Sequence, residues 1–266
     1  MDATEELPRG QQLLLQRLIA NHCVSNKDAQ QIFDSLVANG KDYIDENEKL
    51  FDEDNGGNGY EHGNNSNDSA SIMGQGIDSL ETAFVSINKQ LKPGFGLEII
   101  TMVDTGNVNA KHYHAVVNTT ADEIAKKETV FSKSWNPHER AFVRLVMQRL
   151  VEQQSSGDDN DDDDSDAESG NKKPSVVGLR RSDLINLRSE LGGGFKLTLD
   201  QATRAITILL EEKWLRIAPL PDNKKRRESM QATIDLAPRS YMELYHYITG
   251  LGMAADKLPQ FLYHRA

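Results

Sequence analysis

The fold of this chain is decided by residues 113–151, YHAVVNTTADEIAKKETVFSKSWNPHERAFVRLVMQRLV, where one periodic pattern ends and another begins. Residues 113–119 are rich in aromatic and β-branched side chains and close on polar ones, which predicts a β-strand. From Asn136 the apolar period becomes 3.6, with Asn136 as a helix cap, Pro137 in the first turn and Glu139 placed to bond back to the cap. The stretch therefore predicts a boundary between two domains, with a strand on one side and an amphipathic helix on the other.

The bridge between these two patterns, residues 121–136, keeps apolar side chains, unlike a flexible linker. We expect it to be ordered and to pack between the domains, so that both are presented to a partner as one rigid unit. Phe131 and Trp135 lie at the entry to the second domain. They are candidates either for anchors in a partner's groove or for interdomain packing, and the sequence leaves both interpretations open.

The charge of the chain is concentrated in two low-complexity stretches. The sequence carries 30 Lys and Arg against 41 Asp and Glu, for a net charge of -11. Residues 158–168 hold eight of these acids and no base. Without that stretch and the acids of residues 52–68 the two signs nearly balance, so the net charge does not indicate a DNA-binding surface.

Cys23 is the single cysteine of the sequence, which excludes an intrachain disulfide and a thiolate-rich zinc site. The N-terminus is acidic and lacks the features of a secretory signal, and no apolar run approaches membrane-spanning length. We expect a soluble protein of a reducing, intracellular compartment, with no membrane partner.

The first domain is predicted to occupy residues 1–120. Apolar spacing indicates helices at 11–22, 25–38 and 77–91, followed by a hairpin of 97–103 with 111–117. Residues 52–76 are mostly Gly, Asn, Ser and acid, so we expect a disordered insert there. Three helices followed by a hairpin are typical of a winged-helix domain.

The same order recurs in residues 121–252, the predicted second domain. Its helices are predicted at 137–151, 181–191, 198–213 and 238–251, with a hairpin of 214–218 and 231–236 before the last one. An acidic linker at about 154–174 is expected to be disordered, and residues 253–266 are interpreted as a short C-terminal tail. The predicted class is mainly α with small β-hairpins, an α+β fold of two tandem winged-helix domains.

Several stretches resemble the first non-SMC element subunit of the SMC five/six DNA-repair complex. They are the strand at 113–119, the Phe131 segment leading to the helix with Phe142, and Leu210-Glu-Glu-Lys-Trp-Leu215 at the second hairpin. The resemblance covers most of residues 11–264, apart from the low-complexity stretches. It implies a scaffold subunit of two winged helices that docks on a MAGE-domain partner and a kleisin subunit. It also implies a nuclear, chromatin-associated role in DNA repair and recombination.

The resemblance further implies a C-terminal RING-like zinc module with E3 ubiquitin-ligase activity. Such a module needs paired thiolates around two metals, whereas this sequence has one cysteine and stops at Ala266, where the module is expected to begin. We therefore expect no zinc ligand, cofactor or catalytic residue in these residues. P-loop, G-x-S-x-G and H-E-x-x-H patterns are also absent from the sequence.

Two histidines and two groups of basic residues are candidate binding residues. His112 and His114 share one face of the predicted strand, as a zinc pair would, but without further ligands nearby a solvated strand face is predicted. Arg180, Arg181 and Arg188 are candidates for a basic surface near the middle helix of the second domain.

The second basic group is Lys224, Lys225, Arg226 and Arg227, in the loop of the second hairpin. These residues are candidates for contact with DNA phosphates or for a nuclear-import signal, and a solvated loop is the alternative. The leading hypothesis is the scaffold subunit. A free-standing winged-helix DNA-binding or transcription protein is the alternative.

Overall fold

A computed structural model of the chain describes residues 6–38, 72–104, 110–119, 135–155, 178–218 and 232–264. The chain divides into two compact units, Met1–Thr120 with Gln260–Ala266 (unit 1) and Ala121–Pro259 (unit 2). Each unit combines helices with a small antiparallel sheet, which confirms the predicted α+β class.

Unit 1 packs its helices against one face of a sheet whose strands follow the order β1-β3-β2-β7. Its elements are α1 (Arg9–Asn21), β1 (Cys23–Ser25), α2 (Asn26–Ala38), α3 (Leu80–Phe95), β2 (Leu97–Asp104), β3 (Lys111–Asn118) and β7 (Gln260–Tyr263). Strands β2 and β3 form the predicted hairpin, with Thr101 opposite His114.

Helix α3 forms where local sequence signals agree. It begins at a capping box in which the Ser79 side chain accepts the Thr82 N–H, and it ends at Gly96, whose φ of 64° suits a residue without Cβ. The predicted apolar stripe of this helix is buried in the core of unit 1: Leu80, Phe84, Ile87 and Leu91.

The predicted boundary of the disordered insert, residues 52–76, is wrong at its C-terminal end. Ile72 and Met73 are 3 % and 1 % exposed, and they belong to the core of unit 1. The Gly10 N–H donates to the Ile72 carbonyl, and the Gln11 side chain donates to the Met73 carbonyl. Two apolar residues thus pack on α1 inside a polar stretch, while residues 52–71 lie outside the described part of the chain.

Strand β7 falls in residues 253–266, which the sequence pattern presents as a tail. It pairs antiparallel with β2, from Ile100 opposite Tyr263 to Val103 opposite Gln260. A segment that follows unit 2 in sequence therefore completes the sheet of unit 1.

Unit 2 has a sheet with the strand order β4-β6-β5. Its elements are α4 (Pro137–Ser155), β4 (Leu179–Arg180), α5 (Arg181–Asn186), a 3-10 turn (Leu187–Glu190), α6 (Leu199–Glu211), β5 (Leu215–Ile217), β6 (Thr233–Leu236), α7 (Pro238–Glu243) and α8 (Tyr245–Gly250). The helix predicted over 238–251 is divided because buried Leu244 adopts φ -110° and ψ 21°, outside the helical region.

Helix α4 begins as predicted, since the Asn136 N–H donates to Glu139 and the Glu139 N–H donates to the Asn136 side chain, each at 3.0 Å. It continues to Ser155, four residues past the predicted end. The reason is Gln154, whose amide donates to Asp235 and accepts the Tyr241 hydroxyl at 2.8 Å. The predicted start of the acidic linker at 154 is therefore wrong, and residues 156–177 lie outside the described ones.

Candidate functional site

A row of hydrogen bonds crosses unit 1, buried at its centre and partly buried at its two ends. His114 on β3 lies between Asn26, the first residue of α2, and Thr101 on β2. Its Nε2 is 2.9 Å from Asn26 Oδ1, and its Nδ1 is 2.8 Å from Thr101 Oγ1. Thr101 Oγ1 is also 2.6 Å from Nε2 of His264, the residue that follows β7. The row thus joins the start of a helix, two strands and the end of β7.

The chemistry of Asn26 sets the direction of this row. An amide oxygen only accepts, so His114 carries its proton on Nε2 and donates it to Asn26. The Nδ1 of neutral His114 then accepts from the Thr101 hydroxyl, and the Thr101 oxygen accepts from the Nε2–H of His264. Each hydrogen-bond donor in the row therefore has an acceptor when both histidines are neutral.

The surroundings of the row favour those neutral histidines. Burial, followed by the neighbouring His264 and His112, lowers the pKa of His114 to about 4. Burial also lowers the pKa of His264, against the opposing influence of Glu81 and Glu98. The Phe84 ring lies 5.0 Å from the His114 ring and 5.2 Å from the His264 ring, between centroids, so an apolar surface borders both.

The edge of β2 continues this arrangement through Asn88 on α3. The Asn88 side-chain oxygen accepts the Ile99 N–H at 2.7 Å, and its nitrogen donates to the Ile99 carbonyl at 3.0 Å. The same nitrogen donates to the His264 carbonyl at 3.3 Å. One carboxamide therefore covers the backbone of β2 beside the place where β7 ends.

The prediction of a solvated strand face for the two histidines is wrong for His114. That residue is 4 % exposed, whereas His112 near the start of β3 is exposed. The two do share a face, but the helices and His264 cover its middle and leave its end open. His114 therefore has a hydrogen-bonding role inside unit 1, and neither histidine sits in a metal cluster among the described residues.

Of the remaining predicted site residues, the structure describes Trp135, Arg180, Arg181 and Arg188. Trp135 is 6 % exposed, so its ring is already covered within the chain. Phe131 lies outside the described residues, as does the rest of the bridge from 121 to 134. The basic tetrad 224–227 lies outside them as well. Arg181 donates to Thr207 on α6 at 2.9 Å, which ties it to a neighbouring helix.

Unit 2 displays an apolar pair that the sequence analysis missed, Phe195 and Leu199, which are 37 % and 50 % exposed. Phe195 follows a turn of Gly193 and Gly194, both at positive φ, and packs edge-on against His138 with ring centroids 5.4 Å apart. Leu199 is the first residue of α6. A Gly-rich turn followed by an aromatic residue is the signal in the sequence that could have indicated this display.

Metal clusters of three or more His, Cys, Asp or Glu are absent from the ranges that the structure describes. In those same ranges, none of the helices has the length and apolar character needed to cross a membrane.

The comparisons with known proteins point to one family. A family model described as "Nse1 non-SMC component of SMC5-6 complex" matches residues 11–244. A chain of a solved structure titled "Nse1-Nse3-Nse4 complex" is similar in fold, with a TM-score of 0.53 and 17 % identity over 92 % of this chain and 75 % of that one. No significant match was found among curated proteins. Because the family match spans most of its length, this chain belongs to the Nse1 family of non-SMC components of the SMC5-6 complex.

Proposed function

We propose that this chain is a scaffold subunit of the SMC5-6 complex that binds a MAGE-domain subunit and a kleisin subunit. Its membership of the Nse1 family carries the proposal, and its likeness to a chain of an Nse1-Nse3-Nse4 complex supports it. The role that follows is in DNA repair and recombination, at chromatin in the nucleus. Cell fractionation with an antibody to the chain tests the location, for which chromatin-bound protein is expected.

The proposed architecture within each unit is a winged helix. In unit 1, α1, α2 and α3 precede the β2–β3 hairpin. The short strand β1 lies between α1 and α2 in sequence and pairs with β3. In unit 2, α4, α5 and α6 precede the pairing of β5 with β6, and β4 takes the place of β1. The recurrence of the same element order supports two tandem copies of this domain.

Purified components test the scaffold proposal directly. Size-exclusion chromatography of the full chain with the MAGE-domain subunit at micromolar concentration is expected to give a stoichiometric complex. Separate elution of the two proteins contradicts the proposal. Adding the kleisin subunit is expected to shift the complex to a larger size.

Matched surface variants assign the binding surface to one unit. Phe195→Ser with Leu199→Ser removes the exposed apolar pair of unit 2, and Phe95→Ser removes a 74 % exposed ring at the end of α3 in unit 1. Exposed apolar side chains are the groups that most often anchor a docked partner, so loss of co-elution with one variant alone locates the interface. Both variants change surface positions and are expected to remain folded.

DNA is a second candidate partner, because the basic tetrad 224–227 lies in sequence between the paired strands β5 and β6. The exposed side of α6 disfavours insertion into a groove, since Asp200 and Glu211 offset Arg204. Salt-dependent duplex binding that disappears when Lys224, Lys225, Arg226 and Arg227 are changed to Ala supports contact of this tetrad with DNA phosphates. Binding that persists in this variant excludes it.

Ubiquitin transfer is proposed only for a zinc module outside these residues, since one cysteine cannot supply the paired thiolates of a RING. Reading the coding DNA beyond the Ala266 codon tests this proposal. An in-frame cluster of Cys and His codons supports ligase activity, and its absence removes that activity from the proposed function.

A further inference from the structure

Residues 260–264, here called the C-terminal strap, close the outer edge of the unit 1 sheet. Strand β2 has β3 on one side and the strap on the other. The Ile99 N–H and C=O both bond to Asn88, so they face away from β3. Backbone groups alternate along a strand, which turns those of Thr101 and Val103 to the same side, toward the strap. Asn88 and the strap therefore divide the edge of β2 between them.

The side chains of the strap are only partly covered. Leu262 and Tyr263 are 39 % and 51 % exposed, and Gln260 is exposed as well. The core cluster of unit 1 is built from the helices, from Ile72 and Met73, and from strands β1, β2 and β3. Burial of apolar surface therefore contributes less to the docking of the strap than to the packing of the other strands.

His264 is the residue by which the strap reaches inward. Its ring meets Phe84 edge-on, its Nε2 is bonded to Thr101 at 2.6 Å and its carbonyl is bonded to Asn88 at 3.3 Å. The attachment of the strap thus combines backbone pairing along β2 with one side chain at the end of the hydrogen-bond row.

The polar groups that His264 contacts keep other partners when it leaves. Thr101 still donates to His114, and Asn88 still holds both backbone groups of Ile99. His114 keeps its bond to Asn26. Departure of the strap therefore leaves no isolated charge in the core, and the three remaining strands and three helices keep their mutual contacts.

We propose that the C-terminal strap is releasable. It separates from β2 as a local unit while β3 and α3 stay folded, and its departure opens the backbone of Thr101 and Val103 at the sheet edge to water or to another strand. This property depends on the contacts of unit 1 and is independent of the proposed partners.

Hydrogen–deuterium exchange of the full chain, read by mass spectrometry, tests the proposal. In the unaltered chain, peptides covering 258–264 are expected to exchange at least roughly tenfold faster than peptides covering β3. His264→Ala is expected to accelerate exchange of the strap by a further factor of roughly ten, because one hydrogen bond and one ring contact are lost, and to leave β3 and α3 unchanged. His112→Ala, which removes an exposed histidine of β3 outside the row, is the matched control and leaves the strap at its original rate.

Two results overturn the proposal. One is equal protection of the strap and β3 in the unaltered chain, a comparison that requires no variant. The other is a His264→Ala effect that extends over β3 and α3 or unfolds unit 1, which makes the strap part of the cooperative core.

Discussion

Gly10 on α1 lies so close to Ile72 that no side chain fits between them. The Gly10 N–H donates to the Ile72 carbonyl at 2.8 Å, and a Cβ on Gly10 would lie 2.7 Å from that oxygen and 2.4 Å from the sulfur of Met73. Ile72 and Met73 therefore pack on α1 through a contact that requires glycine at position 10.

Gly10→Ala is expected to destabilise unit 1 by about 1–3 kcal/mol, because either the backbone at Ile72 or the side chain of Met73 must move. Urea unfolding followed by far-UV circular dichroism measures the change. Gly94→Ala is the matched control. It makes the same substitution in α3, where the added Cβ meets nothing within 4 Å. It is expected to be neutral or to stabilise by up to about 1 kcal/mol. Equal urea midpoints for the two variants would show that Ile72 does not pack against Gly10 on α1.

Acidification is expected to weaken unit 1 through His114. Its pKa is about 4 in the folded chain, against 6.5 for an unperturbed histidine. A histidine whose pKa falls on folding stabilises the fold fully above about pH 6.5, and this contribution is lost as the pH falls from 6.5 toward 4. The full loss corresponds to about 3 kcal/mol. The lowered pKa of His264 acts in the same direction.

Urea midpoints measured at pH 7.5, 6 and 5 check this dependence. His114→Gln is expected to give a less stable unit 1 with a shallower decline between pH 6.5 and 5. His112→Ala removes only the smallest of the three influences that lower the pKa of His114, so it is expected to change the decline far less. An unchanged slope in His114→Gln would show that His114 is not the titrating group.

Asn88→Ala is expected to cost unit 1 about 2–4 kcal/mol. The substitution leaves the N–H and C=O of buried Ile99 without their partner, which is more costly than losing an exposed hydrogen bond. Asn21→Ala is the control, because Asn21 is exposed and its amide bonds the Arg17 carbonyl on the surface of its own helix. Its cost is expected to stay below about 0.5 kcal/mol. Comparable losses for the two variants would contradict the role assigned to Asn88.

Gln154→Ala is expected to lower the stability of unit 2 by about 1–2 kcal/mol, since it removes the bonds to Asp235 and Tyr241. Its exposed neighbour supplies the control, Gln153→Ala, for which no loss is expected. Both tryptophans, Trp135 and Trp214, are buried in unit 2, so fluorescence during urea unfolding reports this unit. An unfolding midpoint that Gln154→Ala leaves unchanged would show that Gln154 does not stabilise unit 2, in agreement with the predicted start of the linker at residue 154.

The features predicted correctly from the sequence depend on residues close together in the chain. The stripe of α3, the Asn136 and Glu139 cap and the hairpin of β2 with β3 each follow from spacing within a few turns or one reversal. Such features can be predicted because apolar periodicity and capping residues are visible in the local sequence itself.

The features that were missed depend on distant residues. Thr101 and His264 are 163 positions apart, and nothing near either one indicates the other. Ile72 and Met73 are too few to establish a period within a polar stretch. The alternation of side chains along a strand correctly predicted that His112 and His114 share a face. The part of that face that is covered depends on α2 and on the strap, which are distant in sequence, so the burial of His114 could not be predicted.

The pairing of β7 with β2 makes unit 2 an insertion in the chain of unit 1. During synthesis the ribosome therefore adds all of unit 2 to the chain before it adds residues 260–264. Through that interval the nascent N-terminal sheet has an uncovered edge, of the kind that chaperones and other strands bind. The first unit to begin folding is thus the last to be completed, and the order of folding departs from the order of translation.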